Sequence, residues 1–148
     1  MKTLTSLIAA IAINLPALTA GALAQEAAPP PAALTVTFDK IVEPKGNILL
    51  VLFDSEAAFD KGGKPVRAVV VPVDAASETT LVEGLPAGRY GIKAFHDLDG
   101  DMKMTSNPYG MPTEPFAFSN NAVGNMGPAK WADAAFDVGA ATTQTISF

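Results

Sequence analysis

The hydrophobic pattern of the chain begins at Leu34. In the stretch LTVTF, Leu34, Val36 and Phe38 alternate with Thr35 and Thr37, a period of two that predicts a strand with one wet face. Pro44-Lys45-Gly46-Asn47 is turn chemistry. Ile48 to Phe53 is apolar at every position, as a central strand covered on both faces would be. Asp54-Ser55 offers a cap for one helical turn through Phe59, which Lys61-Gly62-Gly63-Lys64-Pro65 ends. Val66 to Val73 reads as a strand whose Pro72 assigns it to an edge or a bulge, and Thr79 to Leu85 as a weaker one. Pro86-Ala87-Gly88 then turns tightly into the stretch Arg89 to His96. There Tyr90, Ile92, Ala94 and His96 share one face, and Arg89, Gly91, Lys93 and Phe95 the other.

Periodicity is lost from Asp97 to Lys130, a stretch carrying Pro108, Pro112, Pro115 and Pro128. A loop longer than about 15 residues is unusual in a compact domain unless it is functional or disordered. This one is rich in aromatics and poor in charge, so Tyr109, Phe116, Phe118 and Trp131 are expected to pack it against the strands. Asn120, Asn121 and Asn125 suit turns with positive φ. Phe136 and Val138, then Gln144, Ile146 and Phe148, resume the alternation. The prediction is an all-β chain: a single β-sandwich of about seven strands, immunoglobulin-like or prealbumin-like, with a long packed loop before the last two strands. An outer-membrane barrel is not expected, because it needs strands of about nine residues or more and girdles of aromatics.

Composition adds a compartment. The 148 residues suit one domain. Lys2, the apolar run Leu4 to Leu18 and the small residues ending Ala22-Leu23-Ala24 are the three parts of a secretory leader. Asn14 and Pro16 interrupt the run and argue against a spanning anchor. The expected division is a signal peptide over 1–24, a proline-rich tether over 25–33 and a β-sandwich domain over 34–148, in a periplasmic or secreted protein. Cysteine is absent, so neither a lipid-modified cysteine nor a disulfide framework nor a thiolate metal site is available. Without the leader, nine Lys and Arg stand against fifteen Asp and Glu, a formal charge of −6. Such an acidic domain is unsuited to nucleic acid or anionic lipid and suited to divalent cations.

The candidate chemistry lies in HDLDGDMKM, residues 96–104. Asp97, Asp99 and Asp101 alternate, and calcium-binding loops take oxygens from positions 1, 3, 5 and 7, the last a backbone carbonyl. With Asp97 as position 1, the ligands are Asp97, Asp99, Asp101 and the Lys103 carbonyl. Met102 stands where such loops have glycine, and Pro108 where they have a bidentate glutamate. A further ligand would come from Asn107, Glu114 or water. The competing reading is a hairpin turn at Asp99-Gly100 with solvated aspartates. The single histidine, His96, excludes any two-histidine site. Its neighbour Asp97 points to the opposite strand face, poor geometry for a catalytic pair. The expected role is a hydrogen-bonded residue that anchors the long loop. No G-x-S-x-G, G-x-x-x-x-G-K or G-x-G-x-x-G motif is present.

Three segments carry a family resemblance: Leu85-Pro86-Ala87-Gly88-Arg89-Tyr90, His96-Asp97 leading into the acidic turn, and Phe118-Ser119-Asn120-Asn121-Ala122 before Gly127-Pro128. With them the stretch from Leu34 to Phe148 resembles the exported bacterial proteins catalogued as domain of unknown function 2141. That resemblance implies an exported β-sandwich and no established activity; its members usually have glycine where this chain has Met102. The L-P-x-G-x-Y turn is also similar to one in transthyretin-like and collagen-adhesin B-type sandwiches. The several histidines and terminal Tyr-Arg-Gly-Ser of transthyretin-like hydrolases have no counterpart here. The functional expectation is a non-enzymatic binding or accessory module of the cell envelope, steadied by calcium, with a protein or glycan ligand and no stable membrane insertion after leader removal. The alternative is a small envelope or carbohydrate hydrolase using His96 and a carboxylate.

Overall fold

A computed structural model describes residues 32–148; the expected leader and the tether as far as residue 31 lie outside the described residues. β1 (Ala32–Asp39) begins two residues before the expected boundary, because Ala32 pairs with Leu85. Its side chains alternate strictly between buried and half-buried. It is the middle strand of a three-stranded sheet. On one side it runs antiparallel to β4 (Glu78–Leu85), and on the other parallel to β8 (Ala141–Ser147). On the wet face the Thr37 and Thr79 hydroxyls meet at 3.1 Å.

The second sheet has the order β3 (Arg67–Pro72), β2 (Asn47–Phe53), β5 (Gly88–Asp97), β6 (Phe116–Phe118), all antiparallel, with β7 (Phe136–Val138) pairing with the first residues of β5. β3 takes the edge position that Pro72 demands, since a ring nitrogen has no N–H to give a second neighbour. Leu34, Val36 and Phe38 from the first sheet share one buried cluster with Ile48, Leu50, Leu52, Ile92 and Ala94 from the second. The described residues are therefore all-β, with eight strands in two open sheets.

Two short helices cover one end of the second sheet's outer face. α1 (Glu56–Lys61) follows Ser55 as expected, although the Ser55 side chain makes no capping bond, and it stops at Gly62 with φ 69°. α2 (Trp131–Ala134) was not foreseen. Between them Phe53, Phe59 and Phe118 are buried with Trp131 against them. The Lys93 ammonium lies 4.5 Å from the Phe59 ring centre and 5.4 Å from that of Phe53, and donates to the Phe59 carbonyl. Burial lowers the Lys93 pKa, Asp60 opposing and Lys130 reinforcing. Ser119 ties the cluster to β5: its hydroxyl accepts from the Ile92 N–H at 2.8 Å and donates to the Ala134 carbonyl at 2.6 Å. At the other end of the loop between β4 and β5, the Tyr90 hydroxyl reaches back to the Pro86 carbonyl at 2.9 Å. Burial, then Asp54, raises the Tyr90 pKa.

The stretch expected as an unpaired loop contains structure of its own. β6 lies within it, followed by a 3-10 turn at Ser119–Asn121, and Ser106 bridges to Pro112. Asn120 and Asn121 take positive φ as expected, 58° and 51°, whereas near Asn125 the positive φ falls on its neighbour Met126, at 55°. The expected aromatic packing is corrected in part. Phe118 is buried and Trp131 half-buried, but Phe116 is 46% and Tyr109 90% exposed. Tyr109 sits on a turn that Asn107 holds by accepting the Tyr109 and Met111 N–H groups at 2.9 and 3.0 Å, so its ring is not needed as an anchor.

Gly91 is the tightest point of the aromatic cluster: a Cβ there would lie 3.0 Å from the Phe59 ring and 3.1 Å from that of Trp131. Gly91→Val should therefore destabilise the fold by about 1–3 kcal/mol through overpacking. Urea unfolding should show this as a lower midpoint at unchanged slope.

Candidate functional site

The acidic turn starts where β5 ends. Asp97, the last residue of β5, pairs with Asn47 across the sheet, and its carboxylate is fully buried. Gly46 makes this approach possible. A Cβ at Gly46 would fall 2.2 Å from the Asp97 carbonyl oxygen, and its φ is 73°.

Each aspartate of the turn accepts N–H groups from residues that follow it. Asp97 Oδ1 accepts from Gly100 at 2.7 Å and Oδ2 from Met102 at 3.0 Å. Asp99 accepts from Asp101 at 3.1 Å, and Asp101 from Lys103 at 2.7 Å. This local bonding is what Asp at turns ordinarily does, and it winds the chain so that alternate carboxylates come together. It also explains Met102. To present its N–H to Asp97, Met102 adopts φ 63°, the left-handed conformation that glycine takes without cost.

Glu114 closes the site from the far end of the loop. It is buried, and its two oxygens accept from Leu98 and Thr105, each at 2.9 Å. Asp97, Asp99 and Glu114 each place a carboxylate oxygen within 4.8 Å of the others. Of the residues expected from spacing, Asp97 and Asp99 belong to this group. Asp101 stands outside this group of three, exposed and accepting the Lys103 N–H; the Lys103 carbonyl, a backbone oxygen, is no part of a grouping of carboxylates. Glu114 had been one of three options for a further ligand. Its sequence signal is isolation, since it is the sole charged residue between Met104 and Ala129. Asn107, another option, is committed to its own turn.

The Asp97 carboxylate is held as an anion by the backbone. For Asp97, burial would raise the pKa, but the N–H groups of Met102 and Gly100, with Asp99 and Asp101, outweigh it and hold the carboxyl below its ordinary value. Each carboxylate has about four lone-pair directions, and two N–H donors leave others open to a second partner.

His96 stands apart from this chemistry. Its ring is buried on the inner face, 5.9 Å from the Phe148 ring, and Nε2 lies 2.7 Å from the Lys45 carbonyl oxygen. A carbonyl only accepts, so Nε2 carries the proton. The side chain thus fastens the loop between β1 and β2, while the His96 backbone N–H holds the long loop through the Pro115 carbonyl at 2.8 Å. Among the described residues no hydrogen bond joins His96 to a carboxylate. A small cavity of about 130 Å³ beside the ring is lined by Val42, Glu43, Leu98, Pro115 and Phe148.

The fold and site define an all-β protein with a three-carboxylate turn at the end of one sheet. The chain belongs to the family DUF2141, described as an uncharacterised protein conserved in bacteria, whose model matches residues 36–147. No curated protein and no solved structure matches it.

The lowered Asp97 pKa fixes a sign. Its stabilisation is complete above the ordinary aspartate value of about 3.9 and is lost as pH falls through the lower folded value. Asp97→Asn should flatten the acid limb of a plot of urea midpoint against pH while lowering the midpoint at pH 7. In the same assay Met102→Gly should raise stability by about 1 kcal/mol, by relieving the left-handed cost at that position.

Proposed function

We propose that this chain is an exported β-sandwich of the bacterial cell envelope that works as a binding or accessory module, with a divalent cation, calcium foremost, held by Asp97, Asp99 and Glu114. The observation that carries the cation is the convergence of three carboxylates within 4.8 Å. Anions this close repel one another, and a hard cation that takes six to eight oxygens resolves the repulsion. Glu114 enters in place of Asp101 as the third acidic ligand, and the Lys103 carbonyl with water would complete the shell.

The sandwich reading draws on the core common to both sheets and on the tie from Tyr90 to Pro86, which resembles the tyrosine corner of immunoglobulin-type sandwiches. Export draws on the leader pattern of residues 1–24. Binding is preferred to hydrolysis because the one imidazole is buried and bonded to a backbone carbonyl, whereas a general base must reach its substrate.

Thermal melts of the exported domain in calcium and in chelator test the cation. At a free calcium concentration one hundred times Kd, the folded state gains about 2.7 kcal/mol, read as a raised Tm. Asp99→Asn should abolish the shift with little loss of stability in chelator, because Asp99 is exposed and accepts one N–H. A Tm that ignores both calcium and chelator would remove the site.

A further inference from the structure

We propose that the free edge of β6 is a docking site for an extended acidic segment of another protein, which joins the second sheet as an added strand. β6 ends that sheet and pairs with β5 on one side. His96 donates to Pro115. In an antiparallel ladder hydrogen-bonded pairs alternate with non-bonded ones, so the next bonded pair is Ala94 with Ala117. Phe95–Phe116 and Lys93–Phe118 are the non-bonded pairs. The N–H and C=O groups of Phe116 and Phe118 therefore turn away from β5; the Phe118 carbonyl opens the 3-10 turn of Ser119–Asn121, and no hydrogen bond among the described residues takes up the Phe118 N–H or either group of Phe116.

Those groups open onto a groove of about 480 Å³ whose other walls include Asn121, Val123, Lys40 and Ser147. Across the groove the end of the β8 edge already has a partner in Asn121. Asn121 accepts the Ser147 N–H at 2.8 Å and donates to the Thr145 carbonyl at 3.2 Å, and the Asn120 N–H goes to Gln144 at 3.1 Å. A strand entering the groove thus finds one unpaired edge, and strand addition is the recognition mode such an edge supports. Phe116 and Val123, 46% and 84% exposed, offer apolar contact to alternate side chains of the guest.

Charge selects the guest. Lys40 is the sole charged residue lining the groove, and no carboxylate among the described residues pairs with it. An aspartate, a glutamate or a terminal carboxylate at one end of the segment supplies the counter-charge. A second copy of this chain is disfavoured, because its formal charge of −5 repels its like. Two residues' worth of backbone makes the interaction weak and reversible.

The inference rests on the binding-module reading and names its partner class. The probe is an N-acetylated peptide of alternating valine and threonine ending in two aspartates, with a counterpart ending in two lysines. Added to the isotope-labelled protein, the acidic peptide should shift the amide signals of Phe116 and Phe118 and slow their hydrogen exchange. Lys40→Glu should weaken binding at least about tenfold, or 1.4 kcal/mol, and the lysine peptide should bind no better than that. Methylating the peptide amides on the pairing face should abolish binding, and methylating the opposite face should spare it. No binding, shifts confined elsewhere, or equal affinity for the two peptides would overturn the assignment. So would exchange protection of Phe116 and Phe118 before peptide is added, which would give the edge to a second copy or to residues 25–31. Each of these leaves the calcium melts, and with them the module's cation, to be judged separately.

Discussion

Asp97 is a charge with no exposure and, among the described residues, no cationic partner in contact, and the end of the second sheet is organised around making that tolerable. An unpaired carboxylate in a protein interior would neutralise or unfold its surroundings. Here the compensation is the backbone that follows, whose N–H groups at Gly100 and Met102 close on the two oxygens. Those bonds dictate the turn, including the left-handed backbone at Met102, and bring Asp99 beside Asp97. Charge-assisted bonds of this kind are about twice as strong as neutral ones, enough to hold a methionine in a conformation it would otherwise avoid.

Glu114 extends the same principle over a greater chain distance. By accepting from Leu98 and Thr105 it fastens the two ends of the turn to the residue just before Pro115. Pro115 then meets the His96 N–H, and the register of β6 on β5 follows. The carboxylate turn, the histidine and the last strand of the sheet are one connected arrangement. The Ser119 hydroxyl continues it, standing at Ile92 where the ladder would place a backbone carbonyl, and so leads the chain out of β6 and toward α2.

Much of this was legible where the side chains have a period. β1 shows alternation because one face meets the core and the other water. β2 shows a continuous apolar run because Leu49 and Val51 on its outer face are themselves half-covered. Tyr90, Ile92, Ala94 and His96 all face inward as the pattern of β5 required. β6 was illegible because three residues carry no period, and its place is set by Glu114 and Pro115 rather than by its own composition. The carboxylate site was legible by half. Spacing finds residues that a local turn gathers, as it does Asp97 and Asp99. It does not find Glu114, which arrives from elsewhere in the chain, and it includes Asp101, which stands outside the group of three and accepts the Lys103 N–H.

The sheet edges show how differently one chain can treat the same exposed backbone. Unpaired edge groups invite association, and proteins blunt them with proline, charge or cover. β3 ends in Pro72, and its Arg67 reaches the Glu83 carbonyl of β4 at 3.5 Å. β8 is covered near its end by the Asn121 amide, which accepts the Ser147 N–H and donates to the Thr145 carbonyl from a left-handed residue, with Asn120 bonded to the Gln144 side chain beside it. β6 has neither device, and its protection is brevity: three residues are too few to nucleate a sheet between copies of the chain. Brevity limits strength without supplying partners for the Phe116 backbone or the Phe118 N–H, so among the described residues this edge combines available backbone with a groove and a lone cation. The sequence cost of that cover is Asn121 in a left-handed conformation, with Asn120 beside it in the same one, and the turn that holds both sends the chain on through Ala122 to Gly127 along the far wall of the groove.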